Sequence, residues 1–233
     1  TQQMFYQNKS QKGIVTAALL TLDSRTIGML SAASMLAPDG RCKTLDAAAD
    51  GYVRGEGCIS LGMRLVNVSD AASASSSAVV LGTAVNQDGR SSSLTAPNGP
   101  SQQSVMILAL KEAMMSADEV SMLEMHGTGT ALGDPIEVGA AAAVFSLNGG
   151  SSNGSSGSSS RQCPLELGAA KSRLGHLEPA AGAAGILTAI DKLTSYQTEG
   201  ILHLTTINPY IASDNTSTTT PSMYASRCVG AAP

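Results

Sequence analysis

The sequence predicts an α/β protein, and three observations lead there. Its second half alternates short runs of strand-type composition with stretches whose apolar residues recur at helical spacing. Hydrophobic residues make up 42% of the 233 residues, enough to bury a substantial core. No apolar run approaches the roughly 20 residues that cross a bilayer, and the N-terminal region lacks a basic-then-apolar leader pattern. The formal charge of −4 neither neutralises a phosphate backbone nor coats an anionic membrane, which excludes nucleic acid and membrane as main partners. Aromatics are scarce, with five Tyr, two Phe and no Trp, so the core is expected from Ala, Leu, Ile, Val and the ten Met. Cys42, Cys58, Cys163 and Cys228 show neither metal-finger spacing nor secretory context. Reduced thiols in a cytoplasmic compartment are expected, with no metal and no disulfide framework.

The elements follow in chain order. Residues 14–20 form an apolar run that periodicity leaves open between strand and helix, and Ala37-Pro38-Asp39-Gly40 is turn chemistry. Turn-rich Asp50 to Gly57 leads into a strand over Cys58 to Leu65. The small, polar residues from Ser69 to Ser77 mark a seam between residues 1–75, read as the end of an N-terminal half, and 76–233, read as a C-terminal half. Beyond it, Ala78 to Val85 reads as a strand and Asn86-Gln87-Asp88-Gly89 as a turn. A helix is expected over 101–115, with Val105, Leu108 and Ala109 on one face and Lys111 and Glu112 turned away. Val120 to Met125 is the next strand, 135–146 the next helix, and Leu165 to Ala170 a further strand. A last helix over 179–193 carries an apolar stripe of Ile186, Leu187, Ile190 and Leu193. Such alternation means βαβ units around a largely parallel sheet covered on both faces. Residues 148–160 are almost pure Ser and Gly and read as a flexible insertion, as does Thr216 to Thr220.

Chemistry concentrates at two expected strand ends. His126, in Glu124-Met125-His126-Gly127-Thr128-Gly129-Thr130, stands beyond the 120–125 strand, followed by glycines that admit a substrate to the backbone. Asp134, Pro135 and Glu137 have the spacing of a capping box, which makes Asp134 structural rather than catalytic. Lys171-Ser172-Arg173-Leu174-Gly175-His176-Leu177-Glu178-Pro179 follows the 165–170 strand. A histidine just ahead of a helix is expected to stay neutral under the positive end of the dipole, and Lys171 disfavours protonation of both rings. Two neutral imidazoles aimed at one oxygen would stabilise an enolate or oxyanion. Ala180-Ala181-Gly182-Ala183-Ala184-Gly185 has so little bulk that its helix is expected to press close to a neighbour.

The segments Pro38-Asp39-Gly40-Arg41-Cys42-Lys43-Thr44, Asp50-Gly51-Tyr52-Val53-Arg54-Gly55-Glu56-Gly57, Ala84-Val85-Asn86-Gln87-Asp88-Gly89-Arg90 and Leu94-Thr95-Ala96-Pro97-Asn98-Gly99-Pro100 closely resemble β-ketoacyl synthase domains, specifically ketosynthases of modular polyketide synthases. The HGTGT and GHLE segments look like that family's two histidine motifs, and the likeness runs from about Gly13 to Tyr210. The resemblance implies a thiolase-like layered αβαβα fold, present here as the end of its first half and most of its second. It also implies decarboxylative Claisen condensation. A cysteine holds the growing chain as a thioester, and a malonyl unit on an acyl carrier protein loses carbon dioxide to give the attacking enolate. Carried over by motif, the catalytic residues are His126, His176 and Lys171. Thr128 and Thr130 would line the entrance for the phosphopantetheine arm, which the carrier protein brings; no cofactor is bound by the domain itself. The acyl carrier protein is the implied partner, in a homodimer that forms part of a larger multidomain synthase.

Departures from the family pattern accompany the match. The family's nucleophile lies in an Ala-Cys-Ser-Ser context, and no cysteine here has it; Cys42 and Cys58 stand where the family has ordinary structural residues. The chain begins at Thr1 rather than Met, so the nucleophile is expected upstream, and these residues alone are not expected to condense acyl groups. Arg173 replaces the usual Asn, Ala131 replaces a common Pro, and the closing Phe-Gly-Gly-Thr-Asn segment is absent. A different class of reading, a catalytically silent ketosynthase-like domain for dimerisation or carrier docking, predicts decay of the catalytic set; His126, His176 and Lys171 are all present. A nucleotide site at the glycine-rich loops lacks both G-x-G-x-x-G and Walker spacing.

Overall fold

A computed structural model describes residues 10–67, 76–91, 96–145, 164–195, 199–213 and 223–224. Its first feature is an antiparallel ribbon of β1 (Lys12–Leu19) and β2 (Gly57–Arg64), with Lys12 opposite Arg64 and Leu19 opposite Gly57. The run left open between strand and helix is therefore a strand. Its β-branched Ile14, Val15 and Thr16 suit a pleated ladder, and the Thr16 and Ser60 hydroxyls meet across it at 2.8 Å. Between the two strands lies a helix that the sequence pattern did not signal, α1 (Ser24–Ala32), capped by the Asp23 carboxylate accepting from the Arg25 amide at 2.9 Å. The expected turn at 37–40 forms, closed by the Gly40 amide on the Ala37 carbonyl at 3.1 Å.

The parallel sheet comprises β3 (Met122–Glu124), β4 (Leu165–Gly168) and β5 (Met223–Tyr224), with β4 in the middle. Its helices are α2 (Gly99–Ala113), α3 (Gly133–Phe145), the short α4 (Lys171–Leu174), α5 (Ala181–Ser195) and α6 (Pro209–Ser213). Alternation along β4 divides the two faces. Leu165 and Leu167 join Val138, Ala141, Val144 and Phe145 of α3 in the main core. Glu166 lies on the α5 side, where Lys192 Nζ stands 3.9 Å from both Glu166 and Glu124.

Three expectations are corrected. Ala78 to Val85 forms no strand. Gly82 packs its backbone directly on α2, so close that an added Cβ would lie 2.5 Å from the Ala109 carbonyl oxygen, and Thr83 donates its amide to Glu112 rather than to a ladder. On α2, Met106 and Leu110 turn to the core while Leu108 is exposed, one step round the helix from the expected face. On α5 the stripe of Ile186, Leu187 and Leu193 is exposed. The small-residue face is buried instead, with Ala181 and Ala184 against Ala17 and Ile59 of the ribbon, because small side chains let the backbones approach. The Ser/Gly run 148–160, the Thr-rich run 216–220, Cys163 and Cys228 lie outside the described residues, as does most of the 69–77 seam. No described helix is long and apolar enough to cross a membrane.

Candidate active site

Strands β3 and β4 run parallel, with Glu124 level with Gly168, so their carboxyl ends open on the same edge. His126 leaves β3 two residues later, and Lys171 leaves β4 three residues later at the start of α4. The intervening loop needs its glycines. Gly129 sits at φ +77° with the Lys43 amide nitrogen only 2.6 Å from where a Cβ would be, and at Gly127, φ +48°, an added Cβ would lie 2.9 Å from the Thr44 methyl. Thr44 donates its hydroxyl to the Gly127 carbonyl at 2.6 Å, and the Gly51 amide donates to the Gly129 carbonyl at 3.1 Å. Residues 44–51 thus grip the loop from the amino-terminal part of the chain.

The capping-box reading of Asp134 and Glu137 is overturned. Helix α3 begins at Gly133, which puts Asp134 inside its first turn, and both carboxylates reach away from the helix. Asp134 accepts from the amides of Leu45 at 2.8 Å and Gly129 at 3.2 Å, while Glu137 accepts from those of His126 at 2.5 Å and Gly127 at 2.9 Å. These loop amides have left the sheet ladder, and buried amides left unpaired are costly, so the carboxylates serve them rather than the helix end. Asp134 is structural, as expected. Glu137 was missed as a loop holder; its signal was a carboxylate on an otherwise Ala- and Val-rich helix.

The two histidine rings meet. Their centroids lie 5.3 Å apart with planes at 84°, and Tyr52 stands edge-on to His176 at 5.2 Å. Backbone contacts with 53–55 hold His176 from both sides: its amide donates to Val53 at 2.7 Å and its carbonyl accepts from Gly55 at 3.0 Å. The Glu178 amide donates to His176 Nδ1 at 2.9 Å, so in the neutral ring the proton resides on Nε2. Glu178 adopts φ +43°, a left-handed conformation costing about 1–2 kcal/mol in a non-glycine residue. Arg54 holds its carboxylate bidentately at 2.8 and 2.9 Å. No local pattern signals this pair, whose members lie 124 residues apart.

Lys171, one of the expected site residues, is buried at 8% exposure rather than a surface charge. Burial pulls its ammonium below the usual lysine range, opposed by the neighbouring carboxylates of Glu137, Glu124 and Asp134. His126 stays exposed to solvent as a residue, yet the protein packed around its ring depresses it to about 4, by desolvation first, then Lys171, then His176. His176 is depressed as well, by burial and then Lys171. The helix expected to start near Glu178 opens there as a 3₁₀ turn, Glu178–Ala180, and continues as α5 from Ala181; the leading cause of the depressed ring is burial. At neutral pH both rings are uncharged.

His126, Lys171, His176, Glu124 and Glu178 line an open cleft of about 380 Å³, whose far wall is the Ala181, Gly182, Gly185 and Ile186 face of α5. Thr128 and Thr130 are not part of this lining; their hydroxyls lie 3.4 Å apart, and the Thr130 hydroxyl accepts from the Gly133 amide at 3.2 Å. Arg173 turns away from the cleft, binding the Glu199 carboxylate and, at 2.7 Å, the Gly200 carbonyl. Cys42 is fully buried, its sulfur between the Val53 amide at 3.3 Å and carbonyl at 3.7 Å, and burial raises its thiol pKa. Cys58 is exposed on β2.

Histidines and a lysine gathered at adjacent strand ends define a class, an α/β fold with an electrostatic site in an open cleft, and comparison with known proteins identifies which. Residues 77–205 match the family described as beta-ketoacyl synthase, C-terminal domain, and residues 2–68 its N-terminal domain. The chain belongs to the β-ketoacyl synthase family and is a partial ketosynthase domain of the polyketide synthase type, with the thiolase-like fold of its structural neighbours. It is 46% identical over 156 residues, 67% of its length, to a phenolphthiocerol/phthiocerol polyketide synthase of Mycobacterium tuberculosis. Among solved structures it superposes on the module 6 ketosynthase of the bacillaene synthase from Bacillus subtilis 168 with a TM-score of 0.79, at 29% identity over 90% of the chain. An oxazolomycin ketosynthase domain from Streptomyces albus gives 0.82, at 26% identity over 97%. The chain spans 7% of that mycobacterial relative and 36% of each of those ketosynthase chains.

Proposed function

We propose that these residues form the decarboxylating, oxyanion-stabilising part of a polyketide condensing site. The carrying observation is the pair of neutral imidazoles 5.3 Å apart, close enough for one oxygen to accept a hydrogen bond from each. In the proposed step, a malonyl thioester on an acyl carrier protein loses carbon dioxide. The electron pair of the broken carbon–carbon bond enters the thioester as an enolate, whose oxygen accepts from His176 Nε2–H and from the His126 ring. The enolate carbon then attacks the carbonyl of a cysteine-bound acyl thioester, and the cysteine leaves as thiolate. Lys171 acts through the rings: a buried cation disfavours imidazolium, which would surrender a proton to the enolate and quench it.

Neither Cys42 nor Cys58 suits the nucleophile, the first for its buried, raised thiol and the second for its place on the ribbon, so the acyl cysteine belongs outside the described residues. The same proposal includes the carrier-borne phosphopantetheine arm as the form of substrate, Thr128 and Thr130 toward its entrance, a homodimer within a multidomain synthase, and a cytoplasmic setting. A division into halves at about residue 75 belongs to it too. The test is carbon dioxide release from a malonyl thioester by the synthase domain carrying these residues. His126→Ala and His176→Ala each lower it by about 100-fold or more, the usual loss for one oxyanion donor; unchanged release removes that residue from the mechanism.

A further inference from the structure

The proposed chemistry makes no use of the Arg54–Glu178 pair, yet the pair governs the ring that the chemistry depends on. Arg54 is 10% exposed at its side chain and engages both Glu178 carboxylate oxygens. The left-handed turn at Glu178 brings its amide back onto the imidazole two residues earlier. Without an anchor, a non-glycine residue relaxes out of that conformation and takes its amide with it. Arg54 also lies in register beside His176, in a parallel bridge formed by the stretch that grips the His176 backbone.

We infer that Arg54 and Glu178 are positioning residues that fix the tautomer of His176, holding the Glu178 amide on Nδ1 so that Nε2–H is the donor offered to the cleft. The inference rests on the proposed reading of His176 as an oxyanion donor. The charged and titratable groups facing the ring are Lys171, His126, Tyr52, Arg54 and Glu178. Glu178 alone among the charged ones favours imidazolium, and Arg54 opposes it from the far side of the same carboxylate. A guanidinium serves both ends at once, as a planar fork for geometry and a charge for balance; a lysine supplies only the charge.

The test uses the full chain with ¹⁵N-labelled histidine, since it holds only three histidines and each ring nitrogen reports its own protonation. In the unaltered chain His176 Nε2 resonates as a protonated nitrogen and Nδ1 as an unprotonated one. Arg54→Lys and Glu178→Gln each move the tautomer ratio toward Nδ1–H by about fivefold, the size of one ordinary hydrogen bond. Arg54→Met raises the His176 titration midpoint. The double variant Arg54→Met/Glu178→Gln brings the midpoint back down and leaves the tautomer ratio shifted, which separates geometry from charge. An unmoved ratio in both Arg54→Lys and Glu178→Gln, or a ratio restored in the double variant, overturns the clamp while leaving the donor role of His176 intact. A proton found on Nδ1 in the unaltered chain overturns the donor role itself.

Discussion

Replacing Lys171 by Met keeps the length of a buried side chain and removes its charge, which isolates the electrostatic part of the histidine environment. His126 titrates at about 4 against an ordinary 6.5, a gap of about 2.5, with burial the largest cause, Lys171 the second and His176 the third. Lys171 ranks below desolvation among the causes, so the His126 midpoint in Lys171→Met rises above 4 and stays below the ordinary 6.5. Titration followed through the ¹⁵N resonances of the three histidines reads this directly. The sign of the linked stability follows. A base whose folded pKa is depressed binds its proton more readily when unfolded, so stability falls as pH drops from 6.5 toward 4, and this fall is shallower in the variant. A midpoint that does not move shows that Lys171 fails to act on His126. One that returns to the ordinary 6.5 shows that charge rather than desolvation keeps the ring neutral.

The other predictions concern the loop and its neighbours. Glu137→Ala strips the shared carboxyl acceptor from the amides of His126 and Gly127 and costs about 3 kcal/mol, read as a lowered denaturation midpoint; a loss under about 1 kcal/mol shows that the loop holds itself. Gly129→Ala forces a Cβ against the Lys43 amide at positive φ, so it lowers stability and perturbs the His126 resonances together; a neutral effect on both refutes the close approach. Arg173→Asn loses contacts to Glu199 and Gly200 outside the cleft, costs less than about 1 kcal/mol and changes the rate of carbon dioxide release little. A tenfold rate change, about 1.4 kcal/mol, would place that side chain in the reaction path.

From sequence alone, the α/β class, the strand ends carrying His126 and Lys171, and the family resemblance were all legible. Strand period, helical spacing and glycine placement are local properties written in consecutive residues. The low-bulk run at the start of α5 was expected to press on a neighbour, and it does, whereas the apolar face read for α2 and the Ile186, Leu187 and Leu193 stripe of α5 leave Leu108 and that stripe exposed. Which face turns inward depends on what packs against each helix: the ribbon takes the Ala181 and Ala184 face of α5, and the core takes Met106 and Leu110 of α2. Only the tertiary structure joined Glu137 to the amides of His126 and Gly127, and Arg54 to Glu178 across 124 positions. It alone identified desolvation by the surrounding protein as the first cause, ahead of Lys171, that keeps both imidazoles neutral. Desolvation and long-range ion pairing belong to atoms that chain folding brings together, and neighbouring residues in sequence hold no record of them.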